Sequence, residues 1–195
     1  MAVRIEPTSL DEVRPDHLGR YLFAARWLKS HGIDGSLLDM GCGVGYGSSL
    51  LADQFAAVHS IELSDEAEAH YRQHFARNNI RYDRIDAFTA ELDNRYEAAV
   101  CFEFLEHVHD ADKIVAKIAR ASDILICSTP NELVRPWAQP PINPDHVRHY
   151  TPDEFEDLLL AGGFKSVQRF SQVNSRTTDV VEEFTGKFLV AVATK

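Results

Sequence analysis

The stretch Leu37-Leu38-Asp39-Met40-Gly41-Cys42-Gly43-Val44-Gly45-Tyr46-Gly47 decides the fold of this chain. A short apolar segment leads into a turn with glycine at every second position, and a helical pattern follows. Each glycine gives up stability unless the backbone must be bare or take a conformation that side chains disfavour. Such a turn lets a ligand reach the backbone, with the N–H groups of the next helix aimed at it. We therefore predict a strand over 37–40, a ligand-binding turn, and a helix over 46–55.

The composition is that of one globular domain, 1–195, with 45% hydrophobic and 26% charged residues. No apolar run has the length of a membrane span, and the first residues lack the apolar core of a signal peptide. The net charge of −10 disfavours nucleic acid as a partner. Cys42, Cys101 and Cys127 lie in apolar segments or in the glycine turn, which predicts buried thiols and a cytoplasmic location. No pattern indicates an oligomeric state.

Strand and helix patterns alternate through most of the chain, which predicts a doubly wound α/β sheet with right-handed crossovers. Ligands of such sheets bind at the carboxyl ends of the parallel strands. The glycine turn and the acidic residues Glu62, Asp86 and Glu103 all lie at predicted strand ends. The predicted strands are 37–40, 57–63, 80–85, 97–102 and 123–129, and the predicted helices are 17–28, 46–55, one after Ser64 and one after Asp110.

The alternation breaks after Thr129. Six of the eight prolines lie between Pro130 and Pro152, and 131–150 has no clear period, so we predict a long functional loop there. The sequence Thr151-Pro152-Asp153-Glu154 is typical of a capped helix start. Two strand-like runs, 165–171 and 187–193, finish the chain without a helix between them and are expected to pair antiparallel.

The residues at the strand ends distinguish between nucleotide cofactors. A dinucleotide fingerprint has the spacing G-x-G-x-x-G, whereas this turn is G-x-G-x-G-x-G and follows a carboxylate, Asp39. That carboxylate would repel a diphosphate but suits the ammonium group of an amino-acid cofactor. Glu62 can accept both hydroxyls of a ribose, and Asp86 either accepts an adenine amine or caps a helix. These features together describe S-adenosyl-L-methionine.

At this point the sequence resembles the class I S-adenosylmethionine-dependent methyltransferases, over roughly 20–164. The resemblance implies a seven-stranded, Rossmann-like sheet in the order 3-2-1-4-5-7-6, with the last strand antiparallel. It also implies that Gly41 and Gly43 back the cofactor, that Glu62 holds the ribose, and that Leu63 and Ala87 line the adenine. The candidate cofactor-binding set is completed by Asp39, Cys42, Gly45, Asp86, Phe102 and Glu103. The matching pieces are LLDMGCGVGYG at 37–47, Glu62 in HSIELS, the pair Asp86-Ala87, VCFEFLEHV at 100–108, STPN at 128–131 and HYTPDEF at 149–155.

The candidate chemistry lies in 103–107. If this stretch opens a helical turn, Glu103, Glu106 and His107 share one face. Two carboxylates and an imidazole can bind Mg²⁺ or Mn²⁺, with His146 or His149 of the long loop as a further ligand. The alternative is that His107 acts as a general base without metal.

The identity of the methyl acceptor is predicted only from the resemblance of this stretch to known methyltransferases. The pattern E-x-x-E-H with a later histidine resembles two metal-using branches, the ubiquinone-biosynthesis O-methyltransferases and the small-RNA 3′-terminal 2′-O-methyltransferases. The basic run of the RNA enzymes is absent here, which disfavours RNA. His107 and His146 are the candidate catalytic residues.

A small-molecule acceptor methylated at oxygen is the leading hypothesis. A catalytically silent, cofactor-binding partner subunit is the hypothesis from a different class. The segment 20–24 resembles the entry helix of sugar- and natural-product-tailoring methyltransferases, so we expect a helical lid over 1–30 and a substrate loop over 131–150. Tyr21 and Trp137 are candidate aromatic walls, and packing roles are equally open for them.

Overall fold

The computed structural model describes 6–92, 95–140 and 143–195, so small parts of the predicted lid and loop, 1–5 and 141–142, lie outside it. One sheet of seven strands forms the centre of the described chain. Five α-helices surround it, α1 (Pro15–Ser30), α2 (Tyr46–Ala52), α3 (Asp65–His74), α4 (Ala111–Ala121) and α5 (Pro152–Ala161). The strands are β1 (Ser36–Met40), β2 (Ala57–Glu62), β3 (Ile80–Arg84), β4 (Ala98–Phe102), β5 (Ile124–Pro130), β6 (Ser166–Gln172) and β7 (Phe188–Thr194).

The strand order is β3-β2-β1-β4-β5-β7-β6, with β7 antiparallel to both of its neighbours and the other pairs parallel. The order reverses at β1 and β4, so their carboxyl ends flank the crevice where ligands bind in such sheets. The fold class and the strand order predicted from the resemblance are confirmed.

Both faces of the sheet are covered by helices. Helices α4 and α5 pack on one face, over the side chains of Leu38, Leu125 and Ala191. Helices α1 and α2 pack on the other face, over Leu37 and Val100. Burial on both faces explains why the central strands read as continuous apolar runs rather than alternating ones.

Local sequence signals account for the element boundaries. The Ser64 hydroxyl accepts the Ala67 N–H at the start of α3, and Thr151 forms a full capping box with Glu154 at the start of α5. The three cysteine thiols are buried and free, as predicted.

One local prediction is wrong. The turn that follows β4 is a 3-10 turn over Leu105–His107, and Glu103 lies outside it in a left-handed backbone conformation, with φ of 51°. Glu103 therefore does not share a helical face with Glu106 and His107. A non-glycine residue in this region is strained, which is typical of functional strand ends.

No helix in the described ranges combines the length and the apolar character needed to cross a membrane.

Candidate active site

The glycine turn joins β1 to α2 through left-handed backbone conformations. Gly41, Gly43 and Gly45 have φ of 74°, 55° and 82°, so the turn requires glycine at these positions. The Tyr82 hydroxyl donates to the Gly43 carbonyl at 2.8 Å and holds the turn from the side of β3. A Cβ added at Gly43 would meet no described atom within 4 Å, which leaves the inner side of the turn open to a ligand.

Asp39 lies beneath this turn and has no exposed surface. Its carboxyl accepts the Ser48 hydroxyl at 2.6 Å and the Tyr21 hydroxyl at 3.1 Å. Burial raises the pKa of Asp39 to about 7, against the lowering effect of these two hydrogen bonds. In this structure Asp39 thus supports the turn from below, whereas the sequence reasoning placed it in contact with a cofactor ammonium group. Tyr21, a predicted substrate wall, is part of the same buried network.

Glu62 ends β2 with its carboxylate directed at backbone N–H groups. It accepts from Gly43 at 3.1 Å, from Leu63 at 2.8 Å and from Ser64 at 3.1 Å. The carboxylate is thereby fixed beside the open glycine turn, where the sequence predicted a ribose.

A cavity of about 140 Å³ lies between the carboxyl ends of β1, β2 and β3. Five predicted cofactor residues line it, namely Gly41, Glu62, Leu63, Asp86 and Ala87. Leu63 is 60% exposed and Phe88 38% exposed, so two apolar side chains are open to solvent at its walls. Sequence reasoning missed its remaining lining residues, Ile61, Ile85, Phe88, Phe104 and Val108.

The far wall of the cavity is a short loop after β3. Asp86 accepts the Phe88 N–H at 2.7 Å, so one of its oxygens already caps this loop. The Lys117 ammonium group on α4 donates to the carbonyls of Ala87, Phe88 and Ala90 at 2.5–2.9 Å. The sequence carried no signal for this lysine, because its role depends on α4 crossing beside the loop.

The other predicted cofactor residues have different positions. Cys42 and Phe102 are buried, and Phe102 packs edge-on against Tyr21 with the ring centroids 4.9 Å apart. Glu103 accepts the Ser128 hydroxyl at 2.8 Å across β4 and β5. These contacts add packing and support to the crevice, and a contact of these three residues with the cofactor stays a prediction.

A second cluster lies across the crevice from the cavity. Glu106, His107 and His146 each offer one ligand atom, and these atoms lie within 4.8 Å of one another. Three of the four predicted metal ligands thus converge, and Glu103 is not a member of the group. Glu106 is fully buried, and neither of its carboxylate oxygens has a hydrogen-bond partner among the described residues.

The long loop determines which nitrogens of the two histidines are available. His149 Nδ1 bonds the Arg135 carbonyl at 2.6 Å and must donate, so its Nε2 accepts from His146 Nδ1 at 2.7 Å. His107 Nδ1 donates in the same way to the Asp145 carbonyl at 2.9 Å. In their neutral forms, His107 and His146 therefore carry the proton on Nδ1 and leave Nε2 free, the form in which imidazole binds a metal.

Burial controls the protonation of this cluster. It raises the pKa of Glu106 well above its ordinary value, and the neighbouring Glu103 carboxylate raises that pKa further. Burial, together with the nearby His107 and His149, lowers the pKa of His146 to about 4. At neutral pH His146 is therefore uncharged and able to act as a ligand.

The loop over 131–150 is tied down at both ends and above the cluster. Asn131 and Tyr150 form an isolated bridge at its base, and the Val147 N–H donates to the Glu106 carbonyl at 2.8 Å. The Trp137 indole N–H donates to the His146 carbonyl at 3.0 Å. Trp137 is partly exposed and holds the backbone at His146 through this hydrogen bond.

This geometry agrees with the comparisons to known proteins. The sequence profile of the methyltransferase domain family matches residues 15–169. The chain belongs to the class I S-adenosylmethionine-dependent methyltransferases. It is 34% identical over 141 residues to a probable S-adenosylmethionine-dependent methyltransferase of Mycobacterium tuberculosis, covering 67% of this chain and 49% of that protein. The chain therefore spans about half the length of this mycobacterial relative.

Further methyltransferases are more distant. A ubiquinone biosynthesis O-methyltransferase of Nitrosospira multiformis is 30% identical over 150 residues, which is 73% of this chain and 61% of that protein. The crystal structure of magnesium protoporphyrin IX methyltransferase from Synechocystis, with bound S-adenosylhomocysteine (SAH), superposes on this chain with a TM-score of 0.70. The two are 19% identical, and the superposition covers 93% of this chain and 85% of that one. At this identity the superposition shows a shared fold.

Proposed function

We propose that this methyltransferase transfers a methyl group from S-adenosyl-L-methionine to a hydroxyl oxygen of a small molecule, with a divalent cation held by Glu106, His107 and His146. S-adenosylmethionine supplies a methyl group on a positively charged sulfur, and a Mg²⁺ or Mn²⁺ ion would lower the pKa of a hydroxyl that contacts it. Transfer forms an oxygen–carbon bond, breaks the carbon–sulfur bond and releases the hydroxyl proton.

The cofactor half of the proposal is supported by the cavity beside the glycine turn. Gly43 leaves open space beside the turn, and Glu62 has one lone-pair site left on Oε2 for a ribose hydroxyl. Leu63 and Phe88 are exposed apolar side chains of the kind that pack on a base. These residues fit an adenosine, with its amino-acid tail on the glycine turn.

The observation that carries the metal half is the orphaned Glu106 carboxylate. An ionised carboxylate buried without hydrogen bonds is strongly disfavoured unless a cation pairs with it. His107 and His146 each offer one ring nitrogen within 4.8 Å of a Glu106 carboxylate oxygen. Their Nδ1 atoms are hydrogen-bonded, to the Asp145 carbonyl and to His149, so Nε2 is the nitrogen left for a cation. One carboxylate and two imidazoles suit Mn²⁺ better than Mg²⁺, which prefers an all-oxygen shell.

The residues of the chain have separate tasks in this proposal. The Asp145 and Arg135 carbonyls fix the imidazole tautomers, directly for His107 and through His149 for His146. The described parts of the loop contact the cluster through the Val147 and Trp137 hydrogen bonds, and the Glu106 carboxyl group itself is buried away from bulk water. Orientation of the acceptor against the methyl group supplies the rest of the acceleration.

The net charge of −10 gives no support to RNA as acceptor, so a small molecule is the better candidate. One experiment tests the proposal. Consumption of S-adenosylmethionine is followed over phenols, sugars and hydroxy acids, after chelation and after adding back Mn²⁺ or Mg²⁺. We expect Mn²⁺ to restore turnover of at least one hydroxyl acceptor. Full activity after chelation would instead favour His107 as a general base without metal.

Matched variants sharpen this experiment. Glu106→Gln keeps the shape but removes the charge, and should reduce metal-dependent turnover about 100-fold or more. His109→Asn changes an exposed histidine close to the same turn and should leave turnover unchanged. Equal loss in the two variants would contradict the metal assignment.

A further inference from the structure

Arg20, on α1, is a fully buried guanidinium whose pairing is incomplete. Its Nη1 donates to the Gln172 side-chain carbonyl at 2.7 Å, and its plane lies near the Phe188 ring, 5.0 Å from the centroid. Its Nε and Nη2 have no hydrogen-bond partner in the described part of the chain. A buried cation whose one partner is a neutral amide is costly for the fold, which points to a role outside stability.

The two free donors are those that share one edge of the guanidinium. Nε–H and one Nη2–H point in parallel, and this edge matches the two oxygens of a carboxylate or a phosphate. Gln172 adds a further donor, because its Nε2 is buried and also without a partner among the described residues. This Nε2 belongs to the same amide that accepts from Arg20 Nη1, so a third buried donor without a described partner lies beside the guanidinium.

No carboxylate of the described residues bonds this edge of Arg20. Asp16, one turn earlier on α1, is paired with Arg14 at 2.6 Å, and Glu103 is bonded to Ser128. Glu106 and Arg20 interact electrostatically without forming an ion pair. Neither Glu106 oxygen has a hydrogen-bond partner in the described ranges. Arg135 acts electrostatically on Glu106 as Arg20 does, and Lys187 interacts with Arg135 and with the carboxylates of Asp16 and Glu103. Cations and carboxylates are therefore mixed in this part of the chain, and it is the open edge of the Arg20 guanidinium that would select an anion.

The position of this edge separates it from the adenosine cavity. Gln172 ends β6 and Phe188 begins β7, on the opposite half of the sheet from β2 and β3, which line the cavity. Glu106 belongs to the candidate metal cluster and interacts with Arg20.

We propose that Arg20 and Gln172 bind an anionic group, a carboxylate or a phosphate, of the methyl acceptor. The acceptor class is then a small hydroxylated anion, whose hydroxyl reaches the Glu106 cluster while its charged group is held by Arg20. This inference rests on the proposed function for the identity of the second substrate, and it makes Arg20 a specificity-determining residue.

The test compares acceptor probes that differ in one charged group, each with SAH present. The pairs are 3,4-dihydroxybenzoate with 3,4-dihydroxybenzamide, glucuronate with glucose, and glucose 6-phosphate with glucose. Calorimetric binding to the wild-type chain should favour the anion of at least one pair, and the pair that responds separates carboxylate from phosphate. Arg20→Met should weaken that anion about 100-fold and leave its neutral partner unchanged. No preference for any anion in the wild-type chain would overturn the proposal.

Thermal unfolding separates this role from a structural one. Arg20→Met removes a poorly paired buried charge, so the unliganded variant should melt at the same temperature as the wild type or higher. Arg26→Met, an exposed arginine of the same helix, is the control and should bind the probes as the wild type does. A fall in melting temperature together with unchanged probe affinity would assign Arg20 to the fold alone and contradict the proposal.

The carboxylate of the cofactor is the alternative ligand for the Arg20 guanidinium, in place of an anionic group of the acceptor. SAH has this group and 5′-methylthioadenosine lacks it, so their affinities are compared in the wild type and in Arg20→Met. We expect the variant to bind both as the wild type does, and a selective loss of SAH binding would overturn the proposal. Arg20-dependent anion binding without any methyl transfer would uphold this inference while the proposed function failed. If Arg20→Met and the wild type instead methylate neutral acceptors with equal efficiency, the proposed function would hold and the role of Arg20 in acceptor binding would be contradicted.

Discussion

Glu62 and Gly43 are joined across two strand ends, because the Glu62 Oε2 accepts the Gly43 backbone N–H at 3.1 Å. The bond fixes the carboxylate against the glycine turn before any ligand arrives. Leu63 and Ser64 donate to the other oxygen, Oε1, so three of the roughly four lone-pair sites of the carboxylate are occupied by backbone N–H groups. The site that is left, on Oε2, is where we expect a ribose hydroxyl to donate.

Replacing Glu62 should therefore weaken the cofactor complex. Glu62→Gln introduces donors where the N–H groups need acceptors, and we expect the Kd for SAH to rise about 100-fold. Calorimetric titration measures it. Glu91→Gln, at an exposed glutamate, serves as the matched control, and an unchanged Kd in Glu62→Gln would remove Glu62 from the cofactor site.

Two glycines of the turn should respond differently to alanine. A Cβ at Gly47 would collide with the Tyr21 ring, so Gly47→Ala should lower the free energy of unfolding by about 2 kcal/mol. A Cβ at Gly43 meets open space and adds only the strain of a left-handed residue, about 1 kcal/mol. Gly43→Ala should instead weaken SAH binding more than Gly47→Ala does. Urea unfolding and calorimetry separate the two effects, and the opposite ranking would contradict the assigned geometry.

The buried Asp39 should make the free energy of unfolding decrease as the pH rises. Its folded-state pKa of about 7 exceeds the unfolded value of 3.8, so the folded chain binds more protons between these limits. The contribution of Asp39 is fully present below pH 4 and is lost as the pH rises through about 7. Relative to the wild type, Asp39→Asn should therefore gain stability over this range and level off above it. Urea unfolding from pH 5 to 8 measures the difference, and parallel curves would show that Asp39 titrates normally.

Asp34→Asn is the control for that series. Asp34 is an exposed aspartate just before β1, so its removal should leave the pH dependence of the wild type unchanged. A flattened curve in this variant as well would attribute the effect to net charge rather than to burial.

His149 should act through His146 rather than directly. His149→Phe preserves the ring but removes the acceptor that keeps the proton on His146 Nδ1. Loss of such an outer partner typically costs 10–100-fold in metal affinity, and we expect about that rise in the Kd for Mn²⁺. SAH binding should be unchanged, and His109→Phe provides the control. An unaffected Mn²⁺ affinity would mean that the tautomer of His146 is fixed by other contacts.

The sequence predicted the elements well because their signals are local. Each signal lies within a few residues of the chain. Examples are the apolar runs of β1 and β5, the capping box of α5 and the glycine at every second position of the turn. The acidic residue at the end of β2 was also placed correctly beside the turn, since parallel strands end at the same edge of the sheet.

The contacts between distant segments were not predictable in the same way. Asp39 is the fourth residue of β1, and its buried hydrogen bonds depend on Tyr21 from α1 and Ser48 from α2. The His146–His149 bond forms inside a long loop without period, where spacing carries no geometric information. The burial of Arg20 depends on β6 and β7, which follow it by some 150 residues in sequence.

Direct measurement of Mn²⁺ binding tests the central claim, that the Glu106 cluster holds a divalent cation. Free Mn²⁺ is counted by electron paramagnetic resonance during titration of the chain with SAH present, in the wild type, His146→Asn and His109→Asn. We expect one bound Mn²⁺ per wild-type chain, the same in His109→Asn, and binding weakened at least about tenfold in His146→Asn. Equal binding in the wild type and His146→Asn, or no binding in the wild type, would contradict it.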